Sequence, residues 1–162
     1  MEIMRTMQAV IATAILGLGT AAYAQQPAPA AAPAQASAPA VNPFATAQTL
    51  NCSFSTYTVG GWKGAAPTAV IGDESYAFQI VVVNLKKGRA QIVGDTGARP
   101  ASLVLSDTGL TVIEPTSVGL TMTTAFANGG QDGQFLAVHA RHVDLKPTPS
   151  PSQHYGTCKI TK

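Results

Sequence analysis

Short segments in which apolar and polar residues alternate constrain the fold of this chain more than any other feature of its sequence. The segment LNCSFSTYT, which begins at Leu50, starts with such an alternation. In GLTMTTAFA, Leu120 and Met122 share one face, and Thr121 and Thr123 share the other. A period of two places successive side chains on opposite faces of a β-strand. The alternation therefore predicts strands, and no window after residue 45 shows a helical period.

Turn sequences separate these segments at intervals of about eight to twelve residues, which is typical of an all-β domain. The turns are rich in glycine and aspartate, as in LKKG, GDTGA, SDTG and NGGQDG. Further alternating or apolar segments are YAFQIVVVN, RAQIVG, ASLVLS, LTVIE, QFLAVHARHV and HYGTCKI. We predict an antiparallel meander of about eight strands that closes as a small barrel or packs as a sandwich.

The two cysteines lie in the first and last of these segments. An even cysteine count in an exported chain indicates a disulfide, and the C-x-x-C arrangement of redox-active thiols is absent from the sequence. Cys52 shares its face with Leu50 and Phe54, and Cys158 shares its face with Ile160. We therefore expect a Cys52–Cys158 bond that links the terminal strands inside the domain. Cross-linking a loop of this length contributes about 4–5 kcal/mol in the chain-entropy model.

The segment before the predicted domain has two parts. Residues 1–24 are typical of a secretory signal peptide, with an apolar run too short to span a bilayer and the small-x-small pattern Ala22-Tyr23-Ala24 before the expected cleavage. Residues 25–48 are rich in alanine and proline and carry no charge, which predicts a disordered tether. Residues 49–162 are then a single β domain. We expect the mature protein to have no membrane span and to be periplasmic or secreted.

The charge pattern excludes one class of partner. The formal net charge is +2, and the basic residues do not form a block. Nucleic-acid binding requires a concentrated positive surface that neutralises phosphates. We therefore expect no nucleic-acid partner.

All three histidines lie near the end of the chain, in VHARHVDLKPTPSPSQHYGTC. Imidazole and carboxylate groups bind zinc or copper, so His139, His142, Asp144 and His154 form a candidate metal site. The odd spacing of His139 and His142 places them on opposite faces of a strand, which opposes a shared ion. His154 shares a face with Cys158, which is predicted to be interior. Metal binding is therefore an alternative hypothesis, and we expect no cofactor.

A candidate ligand-binding surface combines a tryptophan segment, the histidine-bearing strand and the proline-rich loop over residues 147–153. These elements would bind a small molecule or a cell-envelope protein if they converge. The candidate residues are Trp62, His139, Arg141, His142 and Tyr155.

The sequence Gly60-Gly61-Trp62 resembles the Gly-x-Trp motif of lipocalins. That resemblance implies a tryptophan that plugs the closed end of a barrel and is covered by an arginine, here Arg141. In lipocalins the motif opens the first strand, whereas here a cysteine-bearing strand precedes it. We therefore expect Trp62 to anchor a loop.

Asp-Thr-Gly occurs twice, at Asp95 and at Asp107, and resembles the active-site turn of aspartic proteases. That mechanism needs two carboxylates about 3 Å apart that share one proton. Aspartate and glycine are also the residues that hairpin turns prefer. We expect two ordinary turns, and an aspartic-type peptidase is the less favoured alternative.

The pattern H-x-R-H…P-S-Q-x-Y-G-x-C, together with Phe135, Val138 and an early cysteine, resembles a group of small exported proteobacterial proteins. The resemblance covers the domain and implies an exported single-domain protein without assigning catalytic residues. The sequence thus predicts an exported, non-enzymatic β domain that acts as a binding or interaction module.

Overall fold

The computed structural model describes residues 41–144 and 148–161, and within them it shows a short 3₁₀ turn and eight strands. The turn covers Pro43–Thr46. The strands are β1 (Thr49–Lys63), β2 (Ala66–Asn84), β3 (Arg89–Gly94), β4 (Gly97–Ser106), β5 (Gly109–Thr116), β6 (Gly119–Phe126), β7 (Gln134–Val143) and β8 (Ser152–Thr161). Each strand pairs antiparallel with the next, and β8 returns to pair with β1. The predicted eight-stranded meander is confirmed, and it closes as a barrel.

A disulfide joins the first and last strands. Cys52 and Cys158 are directly opposite each other in the β1–β8 ladder, and their sulfur atoms are bonded. Both side chains are buried in the barrel interior. Gly156 precedes this bond where β8 passes so close to β1 that a Cβ atom would collide with the Ser53 carbonyl oxygen. The expected link between the terminal strands is therefore confirmed.

The barrel interior changes from apolar to polar along its length. On β5 the inward positions are Leu110, Val112 and then Glu114, all of them buried. The same order holds on β7, where Ala137 is followed by His139. The polar end of the interior contains Tyr76, Arg99, Glu114, Thr121, Thr123, His139 and His154. The interior thus provides hydrophobic burial at one end and hydrogen-bonded polar groups at the other.

Strand β6 has the predicted alternation, but its threonine face points inward. Thr121 and Thr123 are buried, whereas Leu120 and Met122 are partly exposed on the outside, Met122 by 38%. The threonines face inward because both hydrogen-bond buried polar groups: Thr121 Oγ1 donates to Glu114, and Thr123 Oγ1 is 2.9 Å from His139 Nδ1. Leu120 and Met122 are therefore left on the outer surface.

The apolar end of the barrel is closed by a residue from the segment before β1. Phe44 is 0% exposed and packs against Phe135 with a ring-centroid distance of 4.7 Å. Asn42 caps the 3₁₀ turn by accepting a hydrogen bond from the Phe44 backbone N–H at 2.8 Å. The packed part of the chain therefore begins earlier than the tether boundary expected at residue 48. The expected signal peptide and the rest of the tether up to residue 40 lie outside the described residues.

The hairpin of β1 and β2 extends past the rest of the barrel. The two strands pair from Thr49 to the turn at Lys63 and Ala66, but β1 pairs with β8 only as far as Val59. On its other edge, β2 pairs with β3 only from Gln79 onward. The segment that contains Trp62 is therefore strand rather than the expected loop. Within the described residues, no helix is long and apolar enough to cross a membrane.

Candidate functional site

Two of the three histidines meet inside the barrel. His139 on β7 and His154 on β8 are register partners with ring centroids 5.8 Å apart, and both are buried. The aromatic rings of Phe54, Tyr76 and Phe78 lie 5.3–5.8 Å from the His139 ring. This part of the interior is therefore filled by rings.

The environment of these histidines favours their neutral forms. Burial, with smaller contributions from the nearby His154, Arg141 and Arg99, lowers the pKa of His139 to about 4. Burial also lowers the pKa of His154, partly opposed by Glu74. The Nδ1 atom of His154 is buried, has no hydrogen-bond partner among the described residues and lies 3.9 Å from a Glu74 carboxylate oxygen. Both imidazoles are therefore neutral at pH 7.

A partly buried ion pair completes the polar end. The Arg99 guanidinium donates through Nε to Glu114, and its Nη1 donates to Thr96 Oγ1 at 2.8 Å. Thr121 donates to the other carboxylate oxygen of Glu114 at 3.1 Å. The hydrogen bond with Glu114 raises the pKa of Arg99. Because both carboxylate oxygens of Glu114 have donors, the buried charge is satisfied.

The candidate metal ligands do not assemble. His139 and His154 point into the interior, whereas His142 is exposed on the outer face and Asp144 follows the end of β7. The opposite orientations of His139 and His142 follow from the strand geometry expected from their spacing. Among residues 41–144 and 148–161, no three side chains of the metal-binding types come close enough to hold an ion.

The two Asp-Thr-Gly sequences occupy separate hairpin turns. Asp95 lies in the β3–β4 turn and Asp107 in the β4–β5 turn. Strand β4 separates them, and its ten residues span about 33 Å. One copy of this chain therefore does not place the two carboxylates at the separation that an aspartic dyad needs.

The structure brings together part of the candidate ligand surface. We call this site the Trp62 groove: it has a volume of about 300 Å³ and is lined by Trp62, Gly119, His142, Val143, Asp144, Pro149 and Pro151. A smaller adjoining hollow of about 270 Å³ also includes His142, Pro151 and Gln153. Tyr155 lines neither the groove nor this hollow, although its hydroxyl donates to Gln153 Oε1 at 2.8 Å. Trp62 is 47% exposed and therefore does not plug the barrel.

Two other candidate ligand residues do not line the groove. His139 is enclosed in the interior, and Arg141 is on the same face of β7 as His139, with an exposed side chain at the polar end. The charge of Arg141 lowers the pKa of both buried histidines. The odd sequence spacing of His139 and Arg141 from His142 was sufficient to place them on the opposite face of β7. Residues 145–147, up to the first residue of the proline-rich loop, lie outside the described residues.

An exposed apolar surface continues from the groove along the outside of the barrel. Leu120 is the register partner of His142, and Met122 lies between Ile113 on β5 and Ala140 on β7. We call Ile113, Leu120 and Met122 the β6 patch; Ala140 beside it is buried. In contrast, the outward side chains of β1 and β8 include Asn51, Ser53, Thr157 and Lys159. These outward positions on β1 and β8 are therefore more polar than those of the β6 patch.

The sequence-based candidates include Trp62 and His142 of the groove. They do not include the β6 patch or the ion pair of Arg99 and Glu114. Glu114 was detectable, because in LTVIE it has the same parity as Leu110 and Val112. Its partner Arg99 lies on a different strand, and that pairing depends on the barrel closure. No protein-family model and no curated protein matches this chain.

Proposed function

We propose that this chain is an exported, non-enzymatic interaction module that binds another protein of the cell envelope through the β6 patch and the adjoining Trp62 groove. The observation that carries the proposal is the orientation of β6, which buries its threonines and exposes Leu120 and Met122. Partly exposed apolar side chains that lie side by side are typical of protein-binding surfaces.

The composition of the two neighbouring surfaces supports a protein partner. The groove offers an indole ring and two prolines, and tryptophan is among the residues that contribute most to binding energy at interfaces. The patch adds a flexible methionine side chain, which adapts to different partner shapes. His142 belongs to the groove and is the register partner of Leu120, so the two surfaces are continuous.

The compartment is part of the same proposal. The Cys52–Cys158 bond supports an oxidising environment, because structural disulfides are rare in the reducing cytosol. The signal-like sequence of residues 1–24 supports export to the periplasm or the exterior. A partner in the cell envelope is consistent with both features.

Photo-crosslinking in the producing cell tests the proposal. A benzophenone amino acid replaces Met122 in one variant and Gln91 in a matched control, because Gln91 is also exposed but lies outward on β3. We expect a specific adduct from position 122 and none from position 91. An adduct of twice the chain mass would identify a second copy as the partner.

Binding of the crosslinked protein is then measured with the L120K and Q91K variants. Leu120 is partly exposed, so a lysine there is tolerated by the fold but places a charge in the apolar contact. We expect L120K to weaken binding by at least about tenfold and Q91K to leave it unchanged. Equal crosslinking from both positions, or full binding by L120K, would contradict the proposal.

A further inference from the structure

Another concave site lies between β4 and β5, next to the β6 patch, because its lining residue Pro115 is the register partner of Leu120. The ladder between these strands runs only from Ser102 and Ile113 to Ser106 and Gly109. The first half of β4 and the end of β5 therefore do not pair with each other. Between them lies a cleft of about 740 Å³, which we call the β4–β5 cleft. Ligand sites for small organic molecules commonly have about 300–1,000 Å³.

Two prolines explain why the ladder does not close. Pro100 lies in the half of β4 that does not pair with β5, and Pro115 lies in the end of β5 that does not pair with β4. A proline has no backbone N–H to donate, so it is found at strand edges and not within continuous ladders. The opening is therefore specified by the sequence on both of its sides.

The charges around the cleft favour an anion. Lys87 and Arg89 line it with exposed side chains, and Arg99 also belongs to its lining. The carboxylate of Glu114 also lines the cleft, but Arg99 and Thr121 already satisfy it. In the described part of the chain, neither Lys87 nor Arg89 forms a salt bridge. Two cations are thus available to a ligand.

The uncharged residues that line the cleft indicate what else a ligand would carry besides an anionic group. Pro100, Ala101 and Pro115 provide an apolar wall, and Ser102 and Thr116 add hydroxyl groups. Sites for small organic ligands combine such apolar walls with a few polar groups that orient the ligand. A fully hydrated inorganic ion would leave the apolar wall without a partner.

We propose that the β4–β5 cleft binds a small organic anion, with an apolar body against Pro100 and Pro115 and a carboxylate or phosphate group held by Lys87 and Arg89. Charge-assisted hydrogen bonds from these side chains provide the affinity for the anionic group. The cleft adjoins the β6 patch, but Lys87 and Arg89, which would hold the anionic group, do not belong to that patch.

Nuclear magnetic resonance titration of the mature protein tests this proposal with four probes of similar size. Phenyl phosphate and benzoate carry the two anionic groups, benzamide is neutral, and benzylamine is cationic. We expect saturable shifts of the Gly88, Ala101 and Thr116 amides with both anions. Benzamide is expected to bind at least about tenfold more weakly, since hydrogen bonds to charged groups are the stronger ones. Benzylamine is expected to give no saturable shift.

Charge-removing variants assign the binding to the cleft. K87Q and R89Q are each expected to weaken phenyl phosphate binding by about tenfold. The control K63Q removes an exposed charge at the tip of the β1–β2 hairpin and should bind as the wild type does. All three positions are exposed, so unchanged thermal unfolding will show that the fold is intact.

Three results would each overturn the proposal. One is the absence of saturable shifts at the cleft amides, and another is equal affinity for benzamide or benzylamine. The third is unchanged affinity in the K87Q/R89Q double variant.

Discussion

Replacing His139 should remove a large part of the acid sensitivity of this barrel. Its side chain is 2% exposed, and its pKa in the folded protein is lowered to about 4 from an ordinary value of 6.5, mainly by burial. In the unfolded chain the same imidazole returns to its ordinary pKa. Between pH 6.5 and pH 4 the unfolded state therefore binds more protons than the folded state. Stability falls as the pH falls through this window.

The magnitude follows from the difference between the two pKa values. Each unit of pKa difference corresponds to about 1.4 kcal/mol. His139 alone should therefore lower the free energy of unfolding by about 2 kcal/mol at pH 5 and about 3 kcal/mol at pH 4, relative to pH 7. Burial also lowers the pKa of His154, so that residue acts in the same direction.

Urea unfolding at pH 7, 5 and 4 measures this effect in the wild type, H139Q and H142Q. H139Q carries no titrating group at this position, so its free energy of unfolding should change less with pH than that of the wild type, by about 3 kcal/mol over the full range. His142 is exposed, and H142Q is therefore expected to retain the wild-type pH profile. If H139Q and the wild type lose the same free energy on acidification, the interior position and the low pKa of His139 are wrong.

Three further perturbations test the packing of the barrel by chemical denaturation. The C52A/C158A variant should lose about 4–5 kcal/mol of stability, because the loop closed by this disulfide is long; an unchanged denaturation midpoint would contradict the link between the terminal strands. F44A should lose about 3–5 kcal/mol, because this ring is fully buried at the apolar end; a loss below about 1 kcal/mol would remove residues 42–47 from the packed domain. R99M should lose about 2 kcal/mol by leaving Glu114 buried and unpaired, less than for a fully buried pair because the Arg99 side chain is 39% exposed. The R99M/E114L double variant should recover most of that loss. A further loss of stability would contradict the view that the unpaired carboxylate is what destabilises R99M.

Local patterns predicted the architecture of the fold because strand periodicity and turn spacing are short-range properties. The eight strands correspond to the eight alternating or apolar segments, and strand parity placed Cys52 and Cys158 on the interior faces. The same parity separated His139 from His142. Glycine-rich sequence around Trp62 weakened the strand signal, because glycine lacks a side chain to pack on a sheet. The extension of β1 to Lys63 was consequently missed.

The inward face of β6 was not predictable from its alternation alone. A period of two defines two faces but does not state which of them is interior. Hydrophobicity favours burying Leu120 and Met122, yet their neighbours Thr121 and Thr123 satisfy Glu114 and His139 inside the barrel. Because those partners lie on β5 and β7, the choice of face depends on contacts between strands. The Trp62 groove likewise depends on how the β1–β2 hairpin lies against the segment before β8.

Oxidation of Met122 by hydrogen peroxide in the folded protein tests most directly whether the apolar face of β6 points outward. Peptide mass spectrometry reports the rate at which this side chain gains one oxygen atom. We expect Met122 to oxidise in the native protein within a few-fold of its rate in urea, because its side chain is 38% exposed. Protection of Met122 by more than about tenfold would show that this face is covered or interior, and the proposed protein-binding surface would be lost with it.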